Sequence, residues 1–335
     1  MTSLSPATPW QAHSRTTANH PAINLSTPDF MTQSPQKKSK RFPSFTLNST
    51  AKPSPPPLVV VGSANADIYV EIDRLPKEGE TISATTGQTL AGGKGANQAV
   101  CGGMLSYPTY FVGRVGNDAH GKLIIDALVG GGVVVDYVEE VGEVPTGHAV
   151  VMLQSGGQNS IIIVGGANMC GWGQSLGDGD LEVVKSAGIV LLQREIPDGI
   201  NVQVAKAARS AGVPVILDAG GMDASVPVEL LRHVDILSPN ESELARLTGM
   251  PTETFEQISL AVAECHKLGV KEVLVKLGGR GSVLFSEGKE PIKQGKSKAE
   301  CLRFAAAAAS LCVQVKGAIP SMPRRKAVLD LLQSI

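Results

Sequence analysis

From Leu58 onward, short runs of aliphatic and β-branched residues alternate with Ala/Leu-rich stretches of helical length, and few folds accept that rhythm. The runs Leu58–Gly62, Tyr110–Gly113, Gly188–Leu192, Val213–Asp218, Asp235–Ser238 and Glu272–Lys276 have apolar, mostly β-branched centres and read as buried parallel strands. Ala96–Met104, His120–Val129, Leu181–Ala187, Val202–Ala211, Pro227–His233 and Phe255–Leu268 read as the helices between them. Right-handed crossovers then give a three-layer, Rossmann-like α/β fold with a mainly parallel central sheet, and ligands belong at the carboxyl ends of its strands. Residues 67–90 and 147–164 break the rhythm as extended segments without helices, the second turning at Ser155–Gln158. A small antiparallel sheet beside the main one accounts for both. It could close over a site as a lid, or serve as a purely structural extension such as a dimer contact.

The segment before Leu58 is of another kind. Residues 1–57 hold six Lys/Arg, one acid (Asp29), seventeen Ser/Thr and ten Pro, without a sustained apolar period. That is the composition of an organellar transit peptide, plastid rather than mitochondrial because Arg is scarce; the plainer reading is an unstructured tail on a cytoplasmic protein. Residues 58–335, the expected folded body, carry a net charge of −6, which offers no basic face to nucleic acid. No apolar run approaches the ~20 residues of a membrane span. Five scattered cysteines without a Cys-x-x-Cys pair indicate neither a disulfide framework nor a zinc site.

Chemistry concentrates in a few motifs. Gly92-Gly-Lys-Gly-Ala-Asn-Gln-Ala99 is a glycine cluster running into a helix, where backbone N–H groups, Lys94 and Asn97 could meet hydroxyls or anions; a tight turn before a helix is the bland equivalent. Gly62-Ser-Ala-Asn-Ala-Asp67 puts Asn65 and Asp67 at the end of the first strand, as sugar ligands or as an Asx turn. Gly116-Asn-Asp-Ala-His-Gly-Lys-Leu123 nearly spells a P-loop, but Leu123 stands where Mg²⁺ needs Ser or Thr, so a strand-to-helix turn is expected. Ser175–Asp180 reads as a helix cap.

In chain order, the motifs at Gly62–Asp67, Gly92–Ala99 and Gly116–Gly121 together with Gly165-Gly-Ala-Asn168, Ser238-Pro-Asn-Glu-Ser-Glu243, Leu277-Gly-Gly-Arg-Gly281 and Lys316-Gly-Ala-Ile-Pro-Ser321 resemble the ribokinase branch of the pfkB carbohydrate kinase family, over Leu58–Ile335. The resemblance implies ATP-dependent phosphorylation of the 5-hydroxyl of D-ribose, with Mg²⁺ and a K⁺-like activator. It implies sugar contacts from Asn65, Ala66, Asp67, Gly93, Lys94, Gly95, Ala96 and Asn97, with Glu195 closing the pocket. It places Asn240 and Glu243 in the phosphate and Mg²⁺ region, and Lys276, Leu277, Gly278, Gly279, Arg280, Gly281 and Ala306 against the nucleotide. Cys312, Val315, Gly317 and Ser321 match positions around the monovalent cation. A helix start for Asn240 and a hairpin turn for 276–281 are the structural alternatives. A homodimer is expected from the flap strands.

One motif is missing. The family takes its general base and anion hole from Gly-Ala-Gly-Asp, expected after the strand at Gly281–Phe285, and this sequence lacks it. Residues to Gln294 resemble the family before a gap and those from Gly295 after it, as though about 30 residues, one strand and one helix, had been removed. No catalytic residue is assigned, and the chain is expected to bind its ligands better than it turns them over. A non-catalytic sugar- or nucleotide-binding protein and a fructokinase-like kinase are the alternatives. The lost elements should leave an apolar sheet face uncovered.

Overall fold

The computed structural model describes residues 55–156, 158–289 and 297–334. The leader as far as Ser54, Gly157 in the hairpin turn and the Gln294/Gly295 junction lie outside the described residues. The main sheet has the order β12-β11-β10-β9-β8-β1-β4-β5. Its strands are β1 (Leu58–Val61), β4 (Thr109–Gly116), β5 (Val133–Val141), β8 (Ile189–Arg194), β9 (Val215–Gly221), β10 (Ile236–Ser238), β11 (Glu272–Lys276) and β12 (Ser282–Ser286). All neighbours are parallel except β11 and β12, which form an antiparallel hairpin.

Period-two geometry explains why one strand feeds two cores. Val59 and Val61 point into one cluster, with Val184 of α4 (Asp178–Lys185), Val204 of α5 (Asp198–Ser210) and Val262 of α8 (Phe255–Lys267). Leu58 and Val60 point into the other, with Val100 of α1 (Lys94–Met104) and Leu128 of α2 (Ala119–Gly130). The covering helices thus lie on both faces, and each fully buried Val or Leu contributes about 1.5–3 kcal/mol.

A second sheet has the order β3-β2-β6-β7, formed by β2 (Asn65–Ile72), β3 (Thr86–Gly92), β6 (His148–Gln154) and β7 (Asn159–Val164). The expected antiparallel pairing holds for β2/β3 and β6/β7, whereas the two hairpins meet through a parallel β2/β6 pair. The extended segment 67–90 is therefore two strands separated by a loop. The outer strand β7 leaves Ile161, Ile162 and Ile163 more than half exposed.

Among the elements unread in the sequence are the strand after α2 and the short helix after β7, while the helix start weighed for Asn240 is present. β5 follows α2 after Gly131-Gly132 with no intervening helix, and its half-polar pattern is that of a sheet edge. The short α3 (Ala167–Cys170) occupies part of the Gly-Gly-Ala-Asn motif. Asn240 and Glu243 form a reciprocal capping box at the start of α7 (Glu241–Thr248). The segment Ser175–Asp180 does contain the start of α4: Gly177 holds the N-cap without a side-chain bond, and Asp178 and Asp180 stand in the first turn. Asp180 pairs with the buried guanidinium of Arg114, 2.7 Å away, which stacks over Trp172. The stretch Pro227–His233 shortens to α6 (Val228–Leu231). Beyond β12, α9 (Ser297–Cys312) packs against α10 (Arg325–Ser334) through a small separate cluster of Ala307, Ala308 and Val328.

Candidate functional site

The glycine cluster lets α1 start against the turn that leaves β1. Gly93 sits at the N-cap with φ 90°, and a Cβ there would stand 2.7 Å from the Asn65 nitrogen; one on Gly95 would stand 2.7 Å from the Ser63 nitrogen. Only glycine permits this approach. Ala66 and Ala96 are fully buried beside it, their N–H groups donating to Gly147 O and Ser63 O, so they hold the pocket's backbone in place.

Two carboxylates come together here from positions 67 and 195, far apart along the chain. Glu195, just after β8, accepts from Ser63 Oγ at 2.6 Å and from the Lys94 N–H at 3.1 Å. Asp67, two residues after Asn65 and on the same face of β2, lies with Oδ2 against Gly92. Burial, with a smaller contribution from the charge of Glu195, pushes the Asp67 carboxyl from an ordinary 3.8 up to about 6. Nearby on α1, the Asn97 Oδ1 is buried without a hydrogen-bond partner among the described residues. The pocket therefore presents a surplus of acceptors, suited to a ligand rich in hydroxyl donors.

Lys94 links this pocket to a second cluster. Its Nζ, Glu243 Oε1 and Asp218 Oδ1 all lie within 2.9 Å of the point a Cβ on Gly220 would occupy. Lys276 Nζ donates to Asp218 Oδ2 at 2.8 Å and lies 3.6 Å from Glu243 Oε2. Asp218 was not anticipated, although the carboxyl half of β9, which begins at it, leads to the strand ends where such folds bind ligands. The two carboxylates and two ammonium groups form a charge-balanced cluster in which Asp218 accepts from the Gly220 N–H and Lys276, and Glu243 from the Asn240 N–H; magnesium carried on a phosphate would need only one or two protein carboxylates.

A cavity of about 310 Å³ opens beyond them, lined by Phe255, Leu277, Val283, Leu302 and Ala306 with Arg280 and Ser282. Gly278–Arg280 form a 3-10 turn closing the β11/β12 hairpin, so 276–281 is both the hairpin turn and the cavity wall. Arg280 is tied to Glu241 at 2.6 Å.

The proposed cation-loop residues also gather. Cys312 Sγ lies 2.9 Å from Ser321 Oγ, which donates to Ala318 O, and Gly317, at φ 97°, faces Leu90 of β3. The Cys312 carbonyl accepts from the Val315 N–H, and Val315 is half exposed. The Cys312 carbonyl and the Ser321 hydroxyl thus have partners within the loop, and a carbonyl oxygen keeps a second lone pair that a monovalent cation could use.

The profile of the pfkB family carbohydrate kinases matches residues 56–294. The chain is 63% identical to the ribokinase of Arabidopsis thaliana over 356 aligned positions, covering 94% of both chains. It is 35% identical to that of Bacillus subtilis over 294, covering 82% of this chain and 99% of the relative. Among solved structures, Arabidopsis thaliana ribokinase complexed with ribose and ATP superposes with a TM-score of 0.81 at 70% identity, covering 83% of this chain and 99% of the other. A ribokinase from Thermotoga maritima gives 0.73 at 31%, covering 83% and 99%. With the sheet order, the glycine-bound acceptor pocket and these likenesses in agreement, the chain belongs to the pfkB family of carbohydrate kinases.

Proposed function

We propose that the pocket of Asn65, Asp67, Asn97 and Glu195 binds D-ribose and that the cavity beside Leu277 and Ala306 binds ATP, as in a ribose 5-kinase. The observation that carries this is the glycine-built turn that brings Asp67 and Glu195 close enough to act on each other, with the Lys94 N–H donating to Glu195. In such a kinase Asp67 and Glu195 hold sugar hydroxyls, Lys94 reaches from the sugar side toward Asp218 and Glu243, and Lys276 neutralises phosphate charge. When bound, Mg²⁺ would neutralise charge on the phosphates beside Asp218 and Glu243.

We further propose that this chain turns over slowly. Supporting this, Gly-Ala-Gly-Asp is absent from the sequence and the family match ends at residue 294. The Arabidopsis alignment points the same way: it spans 356 positions, but 94% of 335 residues is only about 315, so roughly forty of the relative's positions have no counterpart here. Loss of a general base costs ~10²–10⁴ in rate and loss of anion-hole donors ~10²–10³, not additively. The test joins calorimetric titration of ribose and ATP with ribose-dependent ADP release. Ribose binding without measurable turnover supports both parts. Turnover at ordinary kinase rates overturns the second part, and absence of ribose binding in folded protein overturns the first.

The remaining parts of the reading are a K⁺-like activator at the 312–321 loop, a homodimer through the exposed face of β7, and plastid import directed by the leader. The last rests on leader composition and is tested by import of a reporter fused to residues 1–57.

A further inference from the structure

The amide of Asn65 can present either a donor or an acceptor to the sugar, and a buried residue outside the pocket decides which. Asn168 of α3 is 2% exposed and 103 residues away in sequence. Its Oδ1 accepts from the Ala64 N–H at 2.9 Å, while its Nδ2 donates to Ala64 O at 3.0 Å and to Asn65 Oδ1 at 2.7 Å. Turning the Asn168 amide over would oppose its NH₂ to the Ala64 N–H and its oxygen to the Ala64 carbonyl, losing every bond at once. The backbone of Ala64 therefore fixes Asn168. Asn168 in turn commits Oδ1 of Asn65, leaving the Asn65 NH₂ as that residue's group for the pocket.

The surroundings are built around this pair. A Cβ on Gly147 would fall 2.0 Å from Asn168 Nδ2 and 2.6 Å from Asn65 Oδ1, so only glycine lets β6 begin there. Gly147 O in turn accepts from the Ala66 N–H. Trp172 Nε1 donates to the Asn168 carbonyl at 2.7 Å and anchors the short helix that carries it. Ala64 leads from the main sheet into β2, and Asn168 follows β7, so the same bonds join two of the connections between the sheets.

We infer that Asn168 is a positioning residue for sugar recognition: it locks the Asn65 amide with its NH₂ toward the ligand, so that the acceptor-rich pocket of Asp67, Glu195 and Asn97 contains one fixed donor and demands a hydroxyl oxygen free to accept at that place. The ligand side of this inference rests on the sugar-binding reading above. The orientation itself does not.

The test uses the full chain carrying ¹⁵N-asparagine and follows water exchange of the two side-chain NH₂ groups without ligand. In the unsubstituted protein the Asn168 NH₂, both of whose protons are bonded, exchanges more slowly than that of Asn65. In Asn168→Asp the donor becomes an acceptor, the Asn65 amide turns over, and its NH₂ becomes protected. Ribose affinity then falls about 10- to 100-fold, ATP affinity stays within about twofold, and no further loss appears when Asn168→Asp is added to Asn65→Ala. Gly147→Ala, which keeps both amides but wedges them apart, should reproduce the selective ribose loss if the aspartate variant does not fold. The inference is overturned if Asn65 exchange is indifferent to residue 168, if the two losses multiply in the double variant, or if ATP affinity falls in step with that for ribose. If the unsubstituted chain binds no ribose, the functional reading fails while the exchange measurement still decides the orientation.

Discussion

Replacing Asp67 by Asn should make the free protein more stable while removing what it is for. The Asp67 carboxyl titrates at about 6 in the folded chain against an ordinary 3.8, first because it is buried and second because Glu195 is near. A raised folded-state value means the fold holds the proton more tightly than the unfolded chain does. Its contribution is thus fully favourable below pH 3.8, declines as pH rises from there through about 6, and is a constant cost above. At ~1.4 kcal/mol for each tenfold change in proton affinity the cost is about 3 kcal/mol before screening, and partial exposure reduces it to about 1–2. Asp67→Asn is isosteric and never charges, so urea unfolding at pH 8 should show a gain of that size that fades to nothing near pH 4. Its ribose affinity should drop about 10- to 100-fold, the worth of a hydrogen bond to a charged group. An Asp67→Asn variant no more stable than the parent at pH 8, or one whose gain does not vary between pH 4 and 8, would refute the claim that ionised Asp67 is a strained group kept for its ligand.

Gly93→Ala meets both a φ of 90° and a backbone contact at 2.7 Å, and should cost about 2–4 kcal/mol in denaturant unfolding, with loss of ribose binding in whatever remains folded. Arg194 is 1% exposed and holds Asp198 and the carbonyls of Met222, Ala224 and Ser225; Arg194→Ala strands all four partners and should cost about 3–5 kcal/mol by the same assay. Burial pushes the Cys265 thiol up to about 12, so alkylation at pH 8 should label the exposed Cys170 and Cys301 quickly and Cys265 only on unfolding, as mass spectrometry of peptides would show. Ile163 is 63% exposed on β7, and if that face joins two copies, Ile163→Asp should shift sedimentation toward monomer with its thermal midpoint little changed.

The strands and helices that were legible are those whose signal is periodic and local. The apolar runs of β1, β8 and β11 announced burial on both faces, and the glycines at 92, 93 and 95 announced a close backbone approach. β5 escaped because it is an edge strand with a half-polar pattern, and Asp218 because a single carboxylate within a strand has no local signature. Ser175–Asp180 was legible as a helix start, but the partner that claims Asp180, Arg114, lies 66 positions away and was not.

The sequence by itself therefore determined the α/β class, the order of the motifs, the family and the absence of the base-bearing Gly-Ala-Gly-Asp, all of which follow from residue type and spacing along the chain. Tertiary structure alone decided what those motifs face. Glu195 meets Ser63 across 132 residues, Asn168 meets Asn65 across 103, and Lys276 meets Asp218 across 58. Such pairs depend on where the sheet order brings strand ends together, and periodicity, which registers neighbours within a few residues, carries no information about them. The same holds for the Asp67 carboxyl: its residue type is written in the sequence, but burial and the charge of Glu195 arise only when the chain has closed around it.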